Sequence, residues 1–403
     1  MAHVLQSCAA ILRPPVLVSV LLLVCACSGD EGSSANANDD TSGGSSGIAG
    51  STATQPGEAG SDHTGAGGSA MPSACMERAT LEAKMRTSLE AAAQNPDVTT
   101  DGDFALVFEA ADGHQFRVEL GTATLMTVYE SASTSKWVAA AVILDLVDQG
   151  ILALDDDPAD YLTFWEAPGV TLGQLLAFTS GFSEEALCIN LPGADFTDCV
   201  QRIYDNNTEP AAPGTTFDYS SSHLQIAGAM AIRAAGASSW SELFAGWQAK
   251  TRLFPTGAFD LPSEENPRLA GGMHWRGLEY LDFLRALQQG ELLEDATRQA
   301  MLGNQRGDAE VAGSPALQTG QDWAYGFGNW LECPTAIDGQ SFNCSAGYRN
   351  SSPGAYGAYP FIDFEHGYIG LLARQGDLGS FVETNALFAT VAEDAALWAQ
   401  ACQ

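Results

Sequence analysis

The pattern of apolar and polar residues changes character twice near the start of this chain of 403 residues. A short apolar run covers residues 16–26, and residues 28–73 are almost wholly Gly, Ser, Ala, Thr, Asp, Asn, Glu and Pro. Regular patterning begins near Cys75. Residues 76–94 carry Met76, Ala79, Leu81, Met85 and Leu89 at helix-like intervals, which predicts a helix. Residues 104–108 form an apolar run of strand length. Ala111-Asp112-Gly113-His114 reads as a turn, and residues 116–120 alternate like a returning strand. Residues 126–129 predict a short extended piece. Helices with loops follow to about Leu261. One helix comes after Ser133, one spans residues 170–178 with Thr171 as N-cap, and one spans residues 224–235. A further helix is expected over residues 277–289. Strands return at 325–331, 355–361 and 368–373, and a helix closes the chain over 381–401. This order predicts an α+β domain. Its antiparallel sheet takes strands from both chain ends, is flanked by N- and C-terminal helices, and carries an inserted, mostly helical region.

Composition sets the boundaries. The apolar run follows Arg13-Pro14-Pro15 and is too short for a comfortable membrane span, so it suits the core of a signal peptide. It ends Val24-Cys25-Ala26-Cys27, which resembles the bacterial lipoprotein box. That resemblance implies cleavage before Cys27 and lipidation of its thiol, and Ser28 in place of Asp points to the outer membrane. Ordinary secretion is the alternative. Residues 27–74 cannot bury enough apolar surface to fold and read as a lipidated tether of roughly 35–40 Å reach. The expected organisation is a signal peptide over 1–26, the tether over 27–74 and a domain over 75–403. The net charge of −33 argues against nucleic acid and against direct adsorption to anionic membranes. Membrane attachment is expected only through the lipid.

Outside the leader six cysteines remain: Cys75, Cys188, Cys199, Cys333, Cys344 and Cys402. An even number in an exported chain suggests disulfides, although six cysteines allow fifteen connectivities. The local pairs Cys188–Cys199 and Cys333–Cys344 would close short loops and leave Cys75 to clip Cys402. No C-x-x-C and no His-rich cluster suggests a metal site, and no cofactor is expected.

The candidate chemistry centres on Ser133-Thr134-Ser135-Lys136. Lys136 is one of only three lysines, with Lys84 and Lys250. In a helix, positions i and i+3 share a face, so the Ser133 hydroxyl and the Lys136 amine can meet. A serine hydroxyl is a poor nucleophile until a base takes its proton, and a lysine of depressed pKa can be that base. Three further segments stand in order behind it: residues 170–182, ending Thr179-Ser180-Gly181-Phe182; Pro213-Gly214-Thr215-Thr216-Phe217-Asp218-Tyr219-Ser220-Ser221-Ser222; and Asn266-Pro267-Arg268-Leu269-Ala270-Gly271-Gly272.

Together these segments resemble the serine hydrolases of the β-lactamase and penicillin-binding-protein superfamily. The closest look is to the class C β-lactamase-like branch, with its esterases and D-amino-acid amidases or peptidases. The resemblance covers essentially all of residues 75–403. It implies that Ser133 attacks a carbonyl to form an acyl-enzyme, that Lys136 holds or accepts its proton, and that Tyr219 shares the base role and protonates the leaving group. The family's Tyr-x-Asn is Tyr219-Ser220-Ser221 here, with Ser221 in the asparagine position. A literal Tyr204-Asp205-Asn206 lacks the Pro-Gly-Thr lead-in and is set aside. The family's third element, Lys-Thr-Gly or His-x-Gly, matches best at Ser352-Pro353-Gly354-Ala355, without the cation. There Gly354 lets the backbone approach the substrate, and the Ala355 N–H joins that of Ser133 as an oxyanion hole. The missing cation points away from β-lactams and toward a neutral ester or amide.

Other polar candidates have plainer readings. His223 and His274 are expected to be structural or to line the pocket. His366 reads as a solvated loop residue. Glu184 reads as a loop charge, and Glu130 is the other carboxylate near a motif segment. Trp275 and Tyr356 could border the acyl pocket or pack in the core. The function expected is an exported serine hydrolase that cleaves a small-molecule or peptide ester or amide. The alternatives are penicillin binding with D,D-peptidase or β-lactamase activity, and a non-catalytic binding module on the same fold.

Overall fold

Phe104–Ala110 (β1) is buried along its whole length because both faces of the strand are covered. Phe104, Leu106 and Phe108 point to one core cluster, while Ala105 and Val107 point to another. The structure, a computed structural model, describes residues 73–333, 344 and 347–402. Helix α1 (Ser73–Ala93) precedes β1, and β2 (Gln115–Leu120) returns beside it across the expected turn. β3 (Val128–Glu130) leads into α2 (Ser135–Asp148).

The inserted region holds α3 (Leu172–Leu176), α4 (Phe196–Asn206), β4 (Thr216–Asp218), α5 (Ser222–Ala235) and α6 (Trp240–Thr251). Thr171 caps α3 as expected, accepting from the Gln174 N–H at 3.2 Å, while the Gln174 side chain accepts from the Thr171 N–H at 2.9 Å. β5 (Ala258–Phe259), β6 (Met273–Arg276), α7 (Gly277–Gln289), α8 (Asp295–Leu302) and β7 (Glu310–Gly313) follow. The chain then supplies β8 (Ala324–Tyr325), β9 (Trp330–Glu332), β10 (Arg349–Ser351), β11 (Tyr359–Asp363) and β12 (Tyr368–Ala373). It closes with α9 (Phe381–Ala389) and α10 (Ala392–Gln400).

Among the described residues, seven strands form an antiparallel sheet in the order β2-β1-β12-β11-β10-β9-β8. The N-terminal strands are thus joined to the C-terminal ones, with Ala105 opposite Ala373. Met85 and Leu89 of α1, Leu387 and Phe388 of α9 and Trp398 of α10 cover one face. α7 and the buried α2 lie on the other. Gly370 sits in register between Phe108 and Phe361. A side chain there would strike the Phe361 ring, so the glycine is a seat for that aromatic.

Four expectations change in detail. The expected strand 325–331 is a hairpin, because Gly326 and Gly328 turn the chain between β8 and β9. The strand expected at 355–361 begins later, since residues 354–358 form a turn closed by the Gly354 N–H to the Ala358 carbonyl at 2.8 Å. The helix expected over 170–178 shrinks to α3, and the terminal helix is split in two by Thr390 and Val391. β10 is an additional strand.

Disulfides join Cys188 to Cys199 and Cys333 to Cys344, with Cα separations of 5.6 and 5.9 Å. The Cys75–Cys402 clip falls on Cys75, whose side chain lies outside the described residues, as do Cys27 and the whole of the leader and tether up to residue 72. Among the described residues no helix is long and apolar enough to cross a membrane, and no cluster of metal-type ligands occurs.

Candidate active site

Ser133 lies in a tight 3-10 turn, Ala132–Thr134, that opens directly into α2. Ala132 has φ 44°, a left-handed conformation that costs a residue with a Cβ. Its neighbours hold it there. The Thr134 N–H donates to the Ser131 carbonyl at 3.2 Å, the Ser131 and Thr134 hydroxyls bond each other, and the buried Trp275 indole donates to the Thr134 hydroxyl at 2.9 Å. Trp275 is therefore core beneath the nucleophile turn, not a border of the pocket.

The i, i+3 spacing brings the Lys136 amine to 3.0 Å from the Ser133 hydroxyl. The amine also donates to the Ala270 carbonyl at 2.7 Å. That carbonyl is the contribution of the Asn266–Gly272 segment, which a tight turn at Gly271 and Gly272 folds over the lysine. Lys136 is only 4% exposed. Its pKa is lowered from 10.5 to about 7, chiefly by burial and also by the positive charge of Arg268, while Glu185 opposes both.

Tyr219 stands on the other side. Its ring stacks on Trp330 at 5.1 Å between centroids, and the Lys136 amine lies 4.6 Å from the ring centre. Hydrogen bonding from the Ser133 and Trp330 side chains favours the ionised form of Tyr219. Burial outweighs both hydrogen bonds and raises the tyrosine pKa well above 10, so the phenol is neutral. Phe178, itself at φ 61°, buttresses Tyr219 edge-on and stacks on His223 at 5.0 Å. His223 is structural. It donates from Nε2 to the Asp218 carbonyl at 3.0 Å, accepts the Ser180 hydroxyl at Nδ1 at 2.8 Å, and is held neutral by burial, which takes its pKa down to about 4.

The third motif approaches Ser133 from the sheet. A Cβ on Gly354 would lie 2.7 Å from the Ser131 carbonyl oxygen, so the glycine is needed for contact with the nucleophile turn, and it also lines the cavity beside Ser133. The Ser352 hydroxyl donates to the Ser133 carbonyl at 3.0 Å and does not line the cavity. Ser221 does not line it either; its N–H donates to Glu185 at 2.7 Å. Among the described residues no hydrogen bond takes the N–H of Ser133 or of Ala355, and both residues face one cavity of about 420 Å³.

The remaining candidates lie elsewhere. Tyr204 packs on Trp165 and Phe182, its hydroxyl accepting from the Glu166 N–H at 3.1 Å. Glu184 is exposed in its loop. His274 pairs with Asp260 at 2.5 Å and His366 with Asp363 at 3.0 Å. The Glu130 N–H donates to the Gln375 side chain at 2.8 Å, and Tyr356 accepts the Gly376 N–H at its carbonyl. Sequence reasoning missed Trp330 and the Ala270 carbonyl, and also Trp323, Ala316 and Phe381, which wall the cavity.

The family model described as Beta-lactamase matches residues 98–402. The chain belongs to the Beta-lactamase family. Members of this family are serine hydrolases, and solved structures similar to the chain carry the same fold. A putative beta-lactamase from Bacteroides dorei DSM 17855 is 27% identical with a TM-score of 0.61, the alignment covering 72% of this chain and 92% of that one. EstCE1, a hydrolase with promiscuous acyltransferase activity, is 16% identical with a TM-score of 0.60, covering 77% and 100%, a likeness of fold alone. A curated relative, penicillin-binding protein 4 of Amycolatopsis lactamdurans, is 30% identical over 180 residues, 41% of this chain and 44% of its own length. The match to that relative thus spans less than half of either protein.

Proposed function

We propose that this Beta-lactamase-family protein hydrolyses an ester or amide through an acyl-enzyme on Ser133. The observation that carries the reading is the Lys136 amine, buried and 3.0 Å from the Ser133 hydroxyl, with a pKa brought down to about 7. About half of such a lysine is a free amine at neutral pH. The free amine donates one proton to the Ala270 carbonyl and turns its lone pair to Ser133. As the Ser133 oxygen bonds the substrate carbonyl carbon, its proton passes to Lys136. The carbonyl oxygen becomes an oxyanion between the N–H groups of Ser133 and Ala355. Tyr219, neutral and lining the same cavity as Ser133, gives its proton to the leaving oxygen or nitrogen as the carbon–leaving-group bond breaks, and regains one from Lys136. Water then attacks the acyl-enzyme by the same transfers in reverse. Because burial assigns the phenolic proton to Tyr219, Lys136 is the base in this scheme.

The test is labelling of the purified protein with a fluorophosphonate, followed by peptide mass spectrometry. The label is expected on Ser133 and absent in Ser133→Ala. Folded wild-type protein that takes up no label would sink the reading, and would favour a binding module on the same fold.

The same reading places the enzyme outside the cytoplasm on a lipid anchor at Cys27, supported by the apolar run and Val24-Cys25-Ala26-Cys27. Radiolabelled palmitate fed to expressing bacteria is expected to enter the wild-type chain and not Cys27→Ser. Equal labelling of the two would refute the anchor.

A further inference from the structure

The cavity beside Ser133 has a composition that bears on what the acyl group is. Its walls are Trp330, Trp323 and Phe381, closed by Ala316, with Gln318 and Leu378 toward the opening. Among the described residues no Asp, Glu, Lys, Arg or His lines it. Leu378, itself in the lining, is 64% exposed, so the apolar wall reaches the mouth of the cavity.

The wall is also built to stay in place. The Gly379 N–H donates to the Ala355 carbonyl at 2.8 Å, tying the Leu378–Phe381 segment to the oxyanion residue. The fully buried Arg374 guanidinium anchors the base of that segment, donating to the Asp101 carbonyl at 2.9 Å and to Glu383 at 3.0 Å. The cations nearest Ser133 are already committed: Lys136 is bonded to Ala270, and Arg268 donates to Asn190 at 2.7 Å. A carboxylate drawn into the cavity would lose its water and meet no cation in the lining.

We infer that the cavity walled by Trp330, Trp323 and Phe381 receives the acyl half of the substrate, and that this half is an uncharged hydrocarbon chain or ring. The inference rests on Ser133 being the acylated residue. At about 420 Å³ the space is at the small end of the range of about 300–1,000 Å³ for ligand sites, so it suits a medium chain or a single ring.

The experiment measures kcat/KM of the full-length protein on p-nitrophenyl acetate, butyrate, hexanoate and hemisuccinate. Alkyl acetates of lengthening alcohol form the second series. Each buried methylene is worth up to about fourfold, so hexanoate is expected to exceed acetate by about tenfold or more. Hemisuccinate should fall about a hundredfold below butyrate, and the alkyl acetates should vary little. Leu378→Asp, at an exposed position that folding tolerates, should lower the hexanoate-to-acetate ratio several-fold. A flat acyl series, a preference for hemisuccinate, or a steeper dependence on the alcohol than on the acyl chain would each overturn the inference while fluorophosphonate still labelled Ser133. Failure of that labelling would overturn the catalytic reading itself, and the inference with it.

Discussion

Ser133→Ala is expected to lower kcat/KM on p-nitrophenyl butyrate by about 10⁴–10⁶-fold, with the folded state intact. The size follows from the role. Loss of an activated serine removes covalent catalysis altogether and leaves only binding and oxyanion stabilisation. Ser133 is partly exposed, and the turn around it is held by Ser131, Thr134 and Trp275 rather than by its own hydroxyl. Alanine therefore fits without strain beyond that already present at Ala132. Groups that act as one unit are not additive, so Ser133→Ala combined with Lys136→Met should be no slower than Ser133→Ala alone. Steady-state kinetics on the three variants decides the matter. Activity of Ser133→Ala within tenfold of wild type would remove Ser133 from the mechanism.

The second large effect concerns Lys136→Met, which should cost about 10³-fold or more in turnover and yet raise stability in acid. The sign follows from linkage. The folded protein holds Lys136 at about 7 against an ordinary 10.5. Below pH 7 the lysine is charged in both states, and the folded state bears the full cost of burying it, roughly 5 kcal/mol as an upper bound. Between pH 7 and about 10.5 the unfolded chain binds a proton that the folded one does not, so wild-type stability rises with pH through this window. Above it the lysine is neutral in both states and the cost is gone. Methionine fills a similar volume without charge but leaves the Ala270 carbonyl without its donor, a loss of about 1–3 kcal/mol. The net expectation is a gain of about 1–3 kcal/mol at pH 6 that shrinks as pH rises and becomes a loss of up to about 2 kcal/mol by pH 10. Urea unfolding at pH 6 and pH 9.5 measures it. A variant less stable than wild type at pH 6 would show that the amine is not penalised by burial.

Residue pattern alone carried much of this architecture, and the places where it failed share a cause. The Ser133–Lys136 pair was legible because helical spacing by itself brings i and i+3 together. The strands of β1, β2 and β12 were legible because their apolar runs are of strand length. β10 was not, because Arg349, Asn350 and Ser351 are polar yet buried. Their partners are remote: Asp363 for Arg349, the Leu302 carbonyl and Asn329 for Asn350, and Glu332 for Ser351. A strand whose polar groups are satisfied by tertiary contacts looks like a loop in one dimension. The hairpin of β8 and β9 was hidden within a mostly apolar run. Gly328 holds φ 73° there, and a Cβ on it would lie 2.5 Å from the Lys136 carbonyl. In the site, Tyr219 was found through its segment. The Ala270 carbonyl has no side chain to announce it, and Trp330, Trp323 and Phe381 are indistinguishable in sequence from ordinary core aromatics.

The Ser133 turn is held by residues made long after it. The Ser352 hydroxyl grips its carbonyl, Gly354 presses on Ser131, and the Gly328 bend meets α2 at Lys136. β1, in turn, has no partner on one side until β12 exists. A ribosome that has synthesised the serine, the lysine and the tyrosine has therefore not yet produced the residues that hold the proposed site together. The sheet must wait for its last strand, and contacts this distant along the chain close slowly. On the proposed mechanism the site is completed only when Ser352, Gly354 and β12 have been made.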